Sequence, residues 1–384
     1  MKTFLSVLAV AAVSFGQGLK SEPLANPSAD GSVQQNWSAA ADGSPVLSWI
    51  EPGRNGAYSL RYAIRKGTAW SEARTVVAGR KFFRHPAEAP EVIQLSDKLW
   101  MAHWVEMPME SSDAEYIYVA SSADGVKWSA PLMVNKDRLA VQHGLVSMTA
   151  SGPNEASLFW LETPKGEDGP GYLMRSVVDA TGKVLKEERL DADVCSCCPT
   201  SVARTAKGLI VAYRGHTPAD IRDIAVIRFE GGKWSTSKIV NPDNWKLDAC
   251  PVNAASVAAK GDHIALAWFT GAQDPPKVQV VFSEDGGATL SKPVVLSTGH
   301  AFGNTSLALA DDGGAIVSWL ERNAAGDAKL LVREISASGA ASPAVQIAEG
   351  GKSAFGYPRV FHSAAGTFVA YGSGGKLQTA QLKK

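Results

Sequence analysis

Four cysteines carry the chemistry most open to a specific reading. They stand as Cys195-Ser-Cys197-Cys198-Pro199 and Cys250-Pro251. Thiolates ligate soft and borderline metals, and thiols form and exchange disulfides. Three of the four lie within four residues, so two bridges would force one inside the cluster, where so short a loop strains the bond and makes it easy to reduce. Three uses therefore stand side by side. One is a single bridge from Cys250 to the cluster. Another is a thiolate site for copper or zinc, with His85, His143 or His300 as further ligands. The last is a redox-active thiol pair. The C-x-C-C spacing matches no common zinc pattern, so the residues do not fix the metal.

The elements that must position these side chains show as a repeat. Apolar runs ending in an aromatic close at Trp49, Trp104, Trp160, Tyr213, Trp268, Trp319 and Tyr371, at intervals of 55, 56, 53, 55, 51 and 52 residues. Each run is preceded by a short apolar stretch and followed by an alternating one and a shorter closing one, with Gly, Asn and Asp between them, as hairpins require. Short strands at a period near 50 predict an all-β, seven-bladed propeller of four-stranded blades, with six blades as the alternative if the last unit is degenerate. The last unit lacks its fourth strand. A ring leaves no open edge only if it closes, so residues about 18–30 are expected to supply that strand, and Pro23 suits an outermost position.

In such a ring the first strand of each blade lines the channel. The loop entering it opens on the same face as the loop leaving the second strand. This register gathers Arg84, His85, Glu88, His143, Cys195, Cys197, Cys198, Cys250, His300, Asn304, Tyr357 and Arg359 from the entry loops. Glu51, Glu106, Glu162, Arg214 and Glu321 come from the exits. All four cysteines and three of the seven histidines fall in equivalent loops. The four Trp-x-Glu carboxylates are either solvated loop groups or a ring that attracts a cation.

The segment Ser283-Glu-Asp285-Gly286-Gly287-Ala-Thr289-Leu290 resembles the Asp-box, with Leu in place of the usual Trp, and Ser122-Ala-Asp124-Gly125-Val-Lys-Trp128 is a shortened copy. The Asp binds turn amides, the glycines take positive φ, and the aromatic packs between sheets. The chain thus resembles the sialidase-like, Asp-box (BNR-repeat) propeller superfamily over essentially its whole mature length. Within true sialidases that resemblance implies an arginine triad on the substrate carboxylate and a Tyr nucleophile. Here it points to Arg84, Arg214 and Arg359, with Tyr357 as nucleophile. Arg84-His85-Pro86 falls in the second repeat instead of the first, and no acid/base Asp is singled out among Asp193, Asp220 and Asp248. The boxes themselves lie away from the catalytic face and specify no activity.

Lys2 followed by Phe4 to Phe15 reads as a signal peptide ending near Gly16, which leaves residues 17–384 as one exported domain, periplasmic or secreted. Lys+Arg and Asp+Glu both number 38, so nothing favours nucleic acid or a membrane surface, and no later apolar stretch is long enough to span a bilayer. The expected function is a binding protein whose Cys/His-lined funnel holds a soft metal ion or exchanges thiols. The enzymatic alternative is an exo-sialidase or related glycoside hydrolase. The expected partners are a metal ion or small ligand, with carbohydrate or protein as further candidates.

Overall fold

The computed structural model describes residues 19–108, 114–164, 166, 171–351 and 355–384. The segment 1–16, expected to be a signal peptide, lies outside them. Seven antiparallel sheets follow one another along the chain, and each inner strand pairs outward in sequence order. The inner strands are Val33–Ala39, Glu91–Ser96, His143–Gly152, Ser201–Arg204, Ser256–Lys260, His300–Leu309 and Phe355–Ser363. They define blades one to seven, so the six-bladed alternative does not apply. Blade seven takes its outermost strand from Lys20–Leu24, which runs antiparallel to Lys376–Lys383 with Pro23 opposite Ala380.

The second strands explain the unbroken apolar runs. Leu99–Glu106 is buried at every position and Glu155–Glu162 at all but the first, because a sheet covered on both faces has no polar side to present. Each aromatic that ends a run packs against the preceding blade. Trp104 meets Val46 and Leu60, Trp160 meets Met101 and Ile117, Trp268 meets Ile210 and Val226, and Trp319 meets Ala265 and Val278. Trp49 meets Phe368 and Leu377 of blade seven, which closes the circle of contacts. An aromatic of this size removes roughly 150–250 Å² from water, about 4–6 kcal/mol of apolar transfer at each seam.

The turn after Lys277–Ser283 is locked by side chains. Asp285 accepts from the Thr289 amide at 2.8 Å and hydroxyl at 2.7 Å, and Ser283 Oγ accepts from the Gly287 amide at 2.9 Å. These donors hold the Asp285 carboxyl down at about 2. Gly286 and Gly287 have φ of 73° and 86° there, a conformation that side chains avoid.

Candidate metal centre

The entry loops are built differently from the rest of the ring. Five of the eight non-glycine residues with positive φ among the described residues sit in them or in the first turns of the inner strands they lead into, namely Gln34, Leu145, Val252, Asn304 and Phe355. The ladder is interrupted between Val33 and Asn36, Gly144 and Ser147, Gly303 and Ser306, and Phe355 and Arg359. Such bulges turn the chain and re-aim side chains at the mouth of the channel. Sequence reading placed these loops on one face but missed this irregularity, since neither β-branching nor glycine content announces it.

The loop between Val184–Val194 and Ser201–Arg204 brings three sulfurs together. Cys195 Sγ lies 3.7 Å from both Cys197 Sγ and Cys198 Sγ, and one sulfur from each residue falls within 4.8 Å of the other two. Cys250 reaches the group from the next entry loop, where its thiol acts on Cys197. All four cysteines are free, so the bridge from Cys250 to the cluster, one of the three uses open from the sequence, is not formed here. Within the triad the separations are near twice the roughly 2.05 Å of a disulfide bond.

Two N–H groups point at these sulfurs. Arg222 donates through Nη1 to Cys195 at 3.3 Å, and the Asn253 amide donates to Cys198 at 3.3 Å. The thiols of Cys197 and Cys198, with Arg222, hold the Cys195 pKa far below the usual thiol range. Cys197 is pushed up because it is the donor to Cys195, and Cys198 is pushed up by burial first. These directions favour the first negative charge on Cys195, shared through hydrogen bonding with Cys197 and Cys198, with a guanidinium beside it. Arg222 was not singled out by spacing, because it lies further along the exit loop of blade four than the strand-end positions the register gathers. His216 was also missed. It lies 2.6 Å from Asp193 and 3.2 Å from Asp220, in the same group of loops.

A pocket of about 260 Å³ opens over the thiols, lined by His85, Glu115, Gln142, Ser196, Cys197 and Cys250 among others. Cys195 and Cys198 are buried beneath it, Cys197 is half-buried and Cys250 is exposed. Of the three histidines proposed as ligands, His85 shares this pocket. It stacks on Phe83, accepts at Nδ1 from the Ala87 amide at 3.2 Å, and burial lowers its pKa. His143 is fully buried and turned toward Asp137 and Glu162 instead. His300 is exposed at the start of blade six. Among the described residues the thiol group contains no histidine.

Of the four residues of the sialidase-type reading, Arg84 and Arg359 border Tyr357, and Arg214 is taken up by backbone carbonyls. Arg214 is 1% exposed, and its guanidinium donates to the carbonyls of Arg222, Asn253 and Phe269 at 2.7–3.2 Å while stacking on Trp245. Arg84 is exposed and lies over the Tyr58 ring. Arg359 lines the central channel with Glu91 and its guanidinium lies 5.9 Å from the Tyr357 ring, while Arg84 shares a pocket of about 320 Å³ with Tyr357. Tyr357 is buried and its hydroxyl has no hydrogen-bond partner. Burial raises Glu88 and Glu91 to about 8, against the opposing pull of backbone donors and Arg359. These carboxyls are neutral acids at neutral pH.

Three of the four Trp-x-Glu carboxylates turn back onto their own blade. Glu51 accepts from Trp49 Nε1 at 2.9 Å, Glu106 from Trp104 at 2.7 Å and Glu321 from Trp319 at 2.8 Å. They are neither solvated nor gathered in a ring, because the buried indole N–H needs an acceptor two residues along the strand. Glu162 is the exception.

No family model matches the chain, and no curated protein sequence matches it. Solved structures do. One is a protein of unknown function from Dyadobacter fermentans DSM 18053, 15% identical over 96% of this chain and 99% of that one, with a TM-score of 0.52. Another is a polysaccharide lyase of family PL25, an ulvan lyase bound to -[GlcA(1-4)Rha3S]-, 12% identical over 95% and 96% with a TM-score of 0.55. A third is the α-L-arabinofuranosidase Arb93A from Fusarium graminearum, 12% identical over 83% and 96% with a TM-score of 0.51. At such identities the likeness is one of fold, and the fold these structures share with the chain is the β-propeller.

Proposed function

We propose that the chain is an exported metal-binding propeller that holds one soft metal ion on Cys195, Cys197 and Cys198, with Cys250 as a fourth ligand where four are needed. The observation that carries the reading is the unbridged triad with N–H donors aimed at two of its sulfurs. Donors of this kind stabilise thiolates and orient them for a metal. Three thiolates suit monovalent copper, and adding Cys250 gives the four-coordinate set zinc prefers. Arg222 offsets the excess negative charge in either case. Thiol exchange fits less well, since the residue with the depressed pKa, Cys195, is 1% exposed and closed to an incoming disulfide. Export rests on Lys2 and the apolar run Phe4 to Phe15.

The test is anaerobic purification, metal analysis by mass spectrometry, and thiol titration before and after loading with Cu(I) or Zn(II). One equivalent of metal per chain, with the thiols protected on loading and binding lost in Cys197→Ser and Cys198→Ser, is expected. A fully reduced protein that takes up neither metal would sink the proposal.

A further inference from the structure

Glu162 departs from the rule the other Trp-x-Glu pairs follow. Trp160 Nε1 is buried without a hydrogen-bond partner, although Glu162 stands two residues along. Instead Glu162 Oε2 lies 3.9 Å from His143 Nε2, and Asp137 Oδ2 lies 3.9 Å from the same nitrogen. The blade thus forgoes an indole–carboxylate hydrogen bond to keep this carboxylate beside the imidazole.

His143 is arranged as a metal ligand would be. It is fully buried and stacks on Tyr116. Its Nδ1 donates to the Glu115 carbonyl at 2.8 Å, with the Val141 carbonyl at 3.1 Å. That bond fixes the tautomer, so the neutral ring presents a lone pair at Nε2. Nε2 has no hydrogen-bond partner and faces two carboxylate oxygens, which are themselves acceptors. A lone pair aimed at two anions is unfavourable unless a positive centre lies between them. Burial disfavours the imidazolium here and lowers the pKa of His143. It also raises that of Glu162, and the neighbouring charges of Asp137 and Glu187 add to the rise. The rise of Glu162 is in part what neighbouring anions produce, whereas the lowering of His143 is the effect of burial alone, opposed by Asp137 and Glu187.

We infer that Asp137, His143 and Glu162 form a second metal site, distinct from the thiols, for one divalent cation of borderline to hard character such as Mn²⁺ or Zn²⁺. Nitrogen and oxygen ligands at about 2.0–2.2 Å place two donors on one ion at most roughly 4.4 Å apart. The observed 3.9 Å separations, with all three ligand atoms within 4.8 Å of one another, need little adjustment. Asp137 and Glu162 keep some exposure, at 30% and 12% of their side chains, which leaves an entry path and room for water as a further ligand. The imidazole and the absence of thiolate suit manganese or zinc and disfavour monovalent copper.

The probe is Mn²⁺, which thiolates bind weakly, added to chelator-stripped full-length protein and followed by electron paramagnetic resonance and by thermal melting. One equivalent should bind and raise the melting temperature. Asp137→Asn and Glu162→Gln keep shape and volume, and each should weaken binding at least tenfold, while Cys197→Ser should leave Mn²⁺ uptake as in the wild type. That last variant separates this site from the thiol centre, so failure of one leaves the other standing. Uptake unchanged in both carboxylate variants would overturn the inference. So would a wild type that binds neither Mn²⁺ nor Zn²⁺ outside the thiols and shows a protonated His143 ring by NMR.

Discussion

Arg222 bonds the sulfur of Cys195 through Nη1 at 3.3 Å and the carbonyl of Leu247 through Nε at 2.6 Å. One guanidinium therefore joins the loop that carries three cysteines to the loop that leads to the fourth. It supports a thiolate while tying blade four's two ends together.

That charge arrangement sets a pH profile for the reduced, metal-free protein. Cys195 has a folded pKa below the ordinary thiol value of about 8.5, so its stabilisation is complete above that value and declines as pH falls. Cys197 and Cys198 have raised values, so their contribution is complete below about 8.5 and is lost as pH rises. The thiols' joint contribution to stability against urea should peak near pH 8.5 and fall on both sides, with a limiting slope of about 1.4 kcal/mol per pH unit for each proton. It comes on top of the decline from about pH 4.5 to 8 that the raised Glu88 and Glu91 impose. Cys195→Ser should flatten the acid limb. A profile identical in the variant would refute the shared-charge description.

Cys250 distinguishes the two metals. If zinc takes four thiolates, Cys250→Ser should lower zinc affinity by two orders of magnitude or more, while copper(I) on the triad should change by less than tenfold. Competition against chromophoric chelators measures both. Equal losses would place Cys250 in a copper site as well.

Asn253 is the support beneath the centre. Its amide donates to Cys198, its carbonyl accepts from Arg214, and its side chain bonds Pro251, Phe302 and Asn304. Gly303, at φ 97°, approaches it so closely that a Cβ there would stand 1.7 Å from Asn253 Oδ1. Gly303→Ala and Asn253→Ala should each cost about 2–3 kcal/mol in denaturant unfolding and weaken metal binding about tenfold. Variants that unfold earlier yet bind metal unchanged would uncouple the support from the site.

Tyr357 and Arg214 should respond in opposite directions. The Tyr357 hydroxyl is buried without a partner, so Tyr357→Phe should be neutral or stabilising by about 1 kcal/mol. Arg214→Met leaves three carbonyls without their donor and should cost at least about 3 kcal/mol. A fluorogenic sialoside assay on the same proteins checks the enzymatic reading. Hydrolysis by the wild type, abolished in a folded Tyr357→Phe, would restore Tyr357 as a nucleophile.

The seven blades were legible because a strand covered on both faces must be apolar throughout, and an aromatic at each seam marks the period. The register followed from that period, and it brought Cys195, Cys197, Cys198 and Cys250 to one face. Ligand partnership was harder to read. His143 and Cys197 fall in equivalent loops, yet the imidazole turns to Asp137 and Glu162, because the Glu115 carbonyl fixes its ring. Arg214 follows its aromatic by one residue where the carboxylates follow theirs by two, and there it satisfies carbonyls. Spacing gives the face on which a residue sits. Which atom it meets depends on backbone bulges and on polar groups left over by other bonds, and neither leaves a periodic trace.

The pairing of Lys20–Leu24 with Lys376–Lys383 has a consequence for assembly. During synthesis the first six blades can form in order as they emerge, but the seventh is complete only once Lys376–Lys383 has been made and pairs with the much earlier Lys20–Leu24. Until that moment the ring is an open arc, with Trp49's face of blade one and the far side of blade six exposed to water. Losing the last eight residues would remove an interior strand and strand the N-terminal segment with nothing to join. The thiol loops, at the entries of blades four and five, would by then already be folded, so metal capture can precede ring closure.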